Sequence, residues 1–179
     1  DHVMSLVDHA DLKRVWDIDE LIEYFTLMPD DMALMKDKSD FNKLSFSVIL
    51  KMFQIEGRFP NSKDEIPESV IGFISKQLKI NPQIFDKYKL DSRLGRYHRG
   101  QIKEYYGFRQ LTAEDAEEIT KWLYENIECY DRGKVNDILH SRLRELKFEP
   151  PTSDRVDRII SSALRNYELA LFNEIASTI

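Results

Sequence analysis

The stretch Ser92–Arg109, SRLGRYHRGQIKEYYGFR, carries Arg93, Arg96, Arg99, Lys103 and Arg109 against one acid, Glu104, in a chain whose formal net charge is −6. Stepping about 100° per residue from Leu94 puts Leu94, Tyr97, Gln101, Ile102, Tyr105 and Tyr106 between about 300° and 120° through zero. Arg93, Arg96, Arg99 and Lys103 then fall between about 140° and 260°. One face is apolar and the other cationic, the pattern of a helix with its back to a core. Gly95 and Gly100 are the exceptions, each costing about 1 kcal/mol against Ala in a helix interior. Gly100 lies on the basic side, where a small residue lets another backbone come close.

The same period governs the rest of the chain. Phe46, Ile49, Leu50 and Phe53 share a face, as do Val70, Phe73, Ile74 and Leu78, then Ile119, Trp122, Leu123 and Ile127, then Val135, Ile138, Leu139, Leu143 and Leu146. The last run is the longest, from Val156 through Ile159, Ile160, Ala163, Leu164 and Tyr167 to Leu171. No segment alternates with a period of two. Asn81-Pro82 reads as a helix start, Thr112 with Asp115 as a capping box, and Thr152, Ser153 or Asp154 as the cap after Pro150-Pro151. Gly57, Gly107 and Gly133 read as helix stops. The expected fold class is all-α, a multi-helix bundle-like fold of about seven to nine helices.

Residues 49–78 and 101–127 share an order in which a helix ends at Gly, Arg and Phe follow, and a capped loop leads to another amphipathic helix. Two helix-turn-helix-like subdomains account for that echo, and so does the general likeness of helical hairpins. The expected organisation is a leader over 1–16, one helical subdomain over 17–89 and a second over 90–179.

Composition narrows the function classes. Ten Phe, eight Tyr and two Trp are ample for a core. A single cysteine, Cys129, excludes an internal disulfide and a cysteine-rich zinc site. The four histidines have no metal-ligand spacing. No apolar run reaches the roughly eighteen residues of a membrane span, and a cytoplasmic setting is expected. Residues 1–40 hold eleven acids and four bases, whereas the remainder holds twenty-one acids and twenty-two bases. The acidic balance therefore belongs to the N-terminal end and leaves a polyanion partner open elsewhere.

Solvated helix faces usually mix signs, yet Arg99 and Lys103 are a like-charged pair at i, i+4. Charge alone fits a nucleic-acid surface, or a surface neutralised by acids elsewhere in the fold. The final helix adds a second patch, because Ser153, Arg155 and Arg158 in its first turns suit the recognition helix of a helix-turn-helix. Lys43, Lys51 and Arg58 form a third.

At this point RYHRGQIKEYYGFR resembles a segment of the large replicative transposases of the Tn-three family, with His98, Arg99, Gln101, Ile102, Gly107, Phe108 and Arg109 matching. ELIEYFTLMPDD is similar to the family's opening helix. NKLSFSVILKMFQIEGRFP is similar to its next block through Asn42, Leu44, Phe46, Leu50, Gly57, Arg58, Phe59 and Pro60. PPTSDRVDRIISSALRN is similar to the closing block, so the resemblance covers roughly residues 17 to 179. Two departures are Lys43, where the pattern has arginine, and Leu94-Gly95, where a Thr-Arg pairing is usual. The resemblance implies a non-catalytic N-terminal region that binds the transposon's terminal inverted repeats, without cofactor. The metal-dependent DDE core would lie in a more C-terminal part of a much longer chain. Implied partners are double-stranded DNA, the rest of the transposase and a second copy of the full-length protein, in a bacterial, nucleoid-associated setting.

Lys43, Lys51, Arg58, Arg93, Arg96, His98, Arg99, Lys103, Arg109, Ser153, Arg155 and Arg158 are the candidate DNA-binding residues, His98 being equally readable as a core residue. A helical protein-interaction module is the alternative, supported by the acidic N-terminal end and by Tyr105 and Tyr106. Independent catalysis is the weakest reading: adjacent acids such as Asp30-Asp31 or Glu117-Glu118 point about 100° apart on a helix, and acids at helix starts are explained by the dipole. If about six cations engage phosphates, log affinity for duplex DNA falls against log salt with a slope near −5, measurable by titrating salt in a binding assay; a flat dependence would exclude the DNA reading.

Overall fold

A computed structural model describes residues 15–178. Among them the α-helices run α1 (Ile18–Phe25), α2 (Pro29–Leu34), α3 (Asp40–Glu56), α4 (Glu68–Leu78), α5 (Arg93–Tyr106), α6 (Ala113–Asn126), α7 (Arg132–Glu145) and α8 (Ser153–Ser177). Short 3-10 segments cover Lys63–Glu65 and Pro82–Lys87. Among the described residues the sole β pairing is an isolated parallel bridge between Arg109 and Phe148. The fold is all-α, and the leader expected over 1–16 lies almost wholly outside the described residues.

Most of the punctuation acts as read. The Thr112 hydroxyl accepts from the Asp115 amide, and the Asp115 carboxylate accepts from the Thr112 amide, closing the capping box of α6. Thr152 caps α8 by accepting from the Arg155 amide. Gly57 and Gly107 follow α3 and α5 in the left-handed region, at φ 68° and 73°, which an L side chain resists. Gly133 is a correction: it lies in the first turn of α7, behind the Asp131 cap, and α6 ends at Asn126, with Ile127 as its C-cap and no glycine. Asn81-Pro82 opens a 3-10 segment rather than an α-helix.

The chain divides into two compact units, Asp1–Tyr105 and Tyr106–Ile179. The division falls at the last residue of α5, where the sequence suggested 89/90, because the inner face of α5 belongs to the first core. His98 and Ile102 are fully buried. The His98 ring meets Phe46 edge-on, with centroids 5.5 Å apart.

The first unit is built around α3, in which every residue from Leu44 to Phe53 is buried. A helix enclosed on all sides must satisfy its own polar groups. The Ser45 and Ser47 hydroxyls do so by donating to the Phe41 and Lys43 carbonyls one turn back. Lys51 has no such local escape. Its ammonium donates to Asp31 Oδ2 at 2.9 Å, with both side chains almost wholly enclosed. Asp31 also accepts from Gln54 Nε2 at 2.8 Å and from the Met28 amide at 2.8 Å. Lys51, read from sequence as a DNA-binding residue, is therefore a core residue, and the Asp30-Asp31 pair is divided between surface and interior.

The second unit packs three helices on one core, with Ile119, Leu123 and Ile127 from α6, Val135, Leu139 and Leu143 from α7, and Val156, Ile159, Ile160, Ala163 and Leu164 from α8. These are the stripes visible in the sequence. The connection between α7 and α8, Leu146–Thr152, is longer than the three or four residues of a helix-turn-helix turn. It is held by the bridge to Arg109, whose amide donates to the Lys147 carbonyl and whose carbonyl accepts from the Glu149 amide.

Truncating Lys51 strands a buried carboxylate. Lys51→Met is expected to cost about 3–5 kcal/mol of unfolding free energy, as read by urea denaturation, and a loss below about 1 kcal/mol would show that the Asp31 network does not hold α2 to α3.

Candidate nucleic-acid interface

The first capped turn of α5 orients everything that follows on that helix. The Ser92 hydroxyl accepts from the Gly95 amide and donates to the Lys89 carbonyl. A Cβ on Gly95 would fall 2.8 Å from the Lys89 carbonyl oxygen and closer still to that of Leu90. Glycine is therefore obligatory at 95, and the Thr-Arg pairing usual in the resembled family could not sit on this backbone. With Gly95, His98 and Ile102 turned inward, Arg93, Arg96, Tyr97, Gly100 and Glu104 are exposed. Neither the Arg93 nor the Arg96 guanidinium has a hydrogen-bond or ion-pair partner among the described residues.

The other cations of the island are engaged. Arg99 is half-buried and donates to the Leu90 carbonyl. Lys103 is half-exposed on the flank of the outer face. Arg109 belongs to the second unit, where its guanidinium binds Asp115 through both terminal nitrogens, at 2.6 and 2.9 Å, and lies 4.5 Å above the Phe148 ring. Asp115 is consequently held well below the usual carboxylate range, first by the Arg109 hydrogen bond and then by the Thr112 amide, and Arg109 is raised.

His98 is a core residue. It is fully enclosed, stacked on Tyr88, with Nδ1 3.0 Å from the Tyr88 hydroxyl; Nε2 has no hydrogen-bond partner among the described residues. Burial, then the charge of Lys38, lower its pKa to about 4, so the imidazole is neutral at pH 7. Burial pushes the Tyr88 hydroxyl up to about 12, against the opposing pull of Arg99. The sequence offered both readings of His98, and the apolar side of the wheel was the correct indicator.

Lys38 was missed. Its ammonium donates to Gln101 Oε1 at 2.8 Å and lies 5.5 Å from the Tyr97 ring centroid and 4.7 Å from that of Phe46. It brings a further cation to α5 from a segment whose sequence reads as acidic. No local signal could have found it, because the partners are some sixty positions apart.

The remaining candidates divide similarly. Lys43 is half-buried on α3. Arg58 donates to the Phe59 carbonyl and lies 3.5 Å from Glu65. Arg155 ties the start of α8 to the start of α6 by donating to the Leu111 and Thr112 carbonyls at 2.9 and 3.0 Å. Ser153 and Arg158 are exposed, the latter with a weak 3.4 Å bond to the Asp154 carbonyl. A groove of about 830 Å³ runs between α6 and α8, lined by Thr120, Lys121, Pro151, Arg158, Ser162 and Asn166 among others. Ser162 and Asn166 went unremarked in the sequence, although they follow Arg158 at i+4 and i+8 and so share its face. Among the described residues no three His, Cys, Asp or Glu side chains converge as a metal site, and no helix is long and apolar enough to cross a membrane.

What the fold and its surface define is a two-unit helical domain with cationic strips on exposed helix faces. Residues 6–163 match the family described as "Domain of unknown function (DUF4158)", and the chain belongs to that family. It is similar to the transposase for transposon Tn501 of Pseudomonas aeruginosa, 28% identical over 149 residues, which covers 82% of this chain and 15% of that protein. It is also similar to the transposase for transposon Tn1546 of Enterococcus faecium, 27% identical over 160 residues, covering 87% of this chain and 16% of that protein. The resemblance to Tn-three-family transposases drawn from the sequence therefore holds, and the chain spans a small part of the length of these relatives.

The burial of His98 gives a pH signature. An exposed histidine titrates near 6.5. Between there and about 4 the unfolded chain binds a proton that the native core refuses, so stability falls as pH drops through that window, by up to about 1.4 kcal/mol per pH unit. Asp115, with its lowered pKa, adds a loss only below the ordinary Asp value of about 4. Urea titrations from pH 7 to 4.5 should show the slope in the wild type and a flatter one in His98→Asn; equal slopes would place the imidazole in contact with water.

Proposed function

We propose that this chain is the DNA-binding, non-catalytic front part of a Tn-three-family transposase, recognising double-stranded DNA at the terminal inverted repeats during replicative transposition. The observation that carries the reading is the outer face of α5. Two guanidiniums without partners among the described residues, Arg93 and Arg96, stand beside an exposed tyrosine on a helix whose inner face is locked in a core. Such cations cost the fold a mutual repulsion and return nothing to it, whereas a phosphate backbone compensates both. The transposase names of the similar proteins support the class of partner.

In this reading Arg93, Arg96, Lys103, Lys43 and Arg58 contact phosphates. On α8, Ser153, Arg158, Ser162 and Asn166 present donors suited to phosphates and base edges. Arg99, Arg109 and Arg155 serve indirectly, by holding the backbone from which the others project. Strand cleavage, with its divalent metal, belongs to a part of the transposase outside this chain, and the setting is the bacterial cytoplasm, at the nucleoid. A second reading, a helical interaction or dimerisation module, is favoured by the last turns of α8, where Leu169, Phe172 and Ile175 are exposed.

The test is fluorescence anisotropy with a duplex bearing the element's own terminal repeat against a scrambled duplex, titrated with salt. Tighter binding to the repeat is expected, with Arg93→Ala and Arg96→Ala each lowering the salt slope by about 1 and Lys51→Met leaving it unchanged. No binding at low salt, together with a dimer by light scattering, would favour the second reading.

A further inference from the structure

The two glycines inside α5 have different explanations. Gly95 is dictated by its own fold, since a Cβ there would collide with the Lys89 and Leu90 carbonyls. Gly100 is not: a Cβ there meets nothing within 4 Å, φ is in the ordinary helical region, and the residue is exposed. The glycine costs the helix stability, and no contact among the described residues requires it. Its neighbours on the helix surface are Arg96 and Tyr97 one turn before, and Lys103 and Glu104 one turn after. Gly100 is thus the floor of a shallow notch, with long side chains as walls and cations on one flank. Tyr97 stands 59% exposed at its edge, with the Lys38 ammonium over its ring. Glu104 leaves the Arg96 side as the one that favours an anion.

We infer that Gly100 is the point of closest approach between α5 and bound duplex, where the missing Cβ lets the sugar–phosphate backbone seat against the helix. Mid-helix amides are already bonded, so the contact at the floor is one of van der Waals and Cα–H···O type. Its consequence is positional: the closer the backbone lies, the better Arg96 and Arg93 reach phosphates on either side. The inference rests on the DNA-binding reading above.

A control exists in the same chain. Gly72 of α4 also has nothing within 4 Å of a built Cβ but stands among Glu68, Ser69, Ser75 and Lys76, on a different helix from Arg93 and Arg96. Gly72→Ala, Gly100→Ala and Gly100→Leu would be compared in the full chain for melting temperature and for anisotropy with the repeat-bearing duplex. All three should melt a few degrees higher than the wild type, because each replaces a helical glycine. Gly72→Ala should bind like the wild type. Gly100→Ala should bind about threefold more weakly and Gly100→Leu more than about tenfold. Wild-type affinity in Gly100→Leu overturns the inference while leaving the DNA reading intact. A wild type without salt-dependent affinity for either duplex overturns the DNA reading, and the inference with it.

Discussion

The close approach of α5 to the backbone at Lys89 and Leu90 is the constraint on which the exposed face of the first unit depends. Glycine at 95 lets the helix lie against two carbonyls. His98 and Ile102 follow into the core on the same side. Once three residues in succession on one face are committed inward, the 100° step of the helix leaves no freedom in what points out. The exposure of Arg93 and Arg96 is thus a consequence of packing several ångströms away. The Tyr88–His98 pair fixes the register further, because a neutral imidazole and a phenol share one hydrogen bond where neither can reach water.

Arginine has two roles in this chain, and the same stretch of sequence contains both. Arg99, Arg109 and Arg155 use the planar fork of the guanidinium to donate to backbone carbonyls or to the Asp115 carboxylate. Each ties a helix to a neighbouring segment. Arg93 and Arg96 do nothing of that kind. Arg109 is 57% exposed by side chain and still belongs to the structural group, because both its terminal nitrogens are occupied by Asp115. Occupancy of the donors, more than exposure, separates the two roles.

The second unit shows how a three-helix core can present a long helix beyond its own boundary. The apolar stripe of α8 is buried from Val156 to Leu164, and Tyr167 anchors the next turn by donating to the Glu128 carbonyl at 3.0 Å. Past that point Leu169, Phe172 and Ile175 are exposed. The stripe in the sequence runs unbroken across this transition, so periodicity marks the helix without marking where its core ends.

The sequence by itself determined the helical class, the stripes of α3 through α8, the cap at Thr112, the helix start just after Pro150-Pro151 and the split of α5 into two faces. All of these are local matters, settled by side-chain spacing and by residues within four positions of one another. It misplaced the boundary of the first unit, and it counted Lys51 with the surface because a lone lysine in an apolar run carries no mark of its partner. Asp31 lies twenty positions away and Lys38 reaches α5 from about sixty, distances at which pairing is decided by how helices pack. Only the tertiary structure decided which cations are occupied, which glycine is required by its neighbours and which is left with none. Charge and shape become a site when non-local packing has used up some of the side chains and left others facing water.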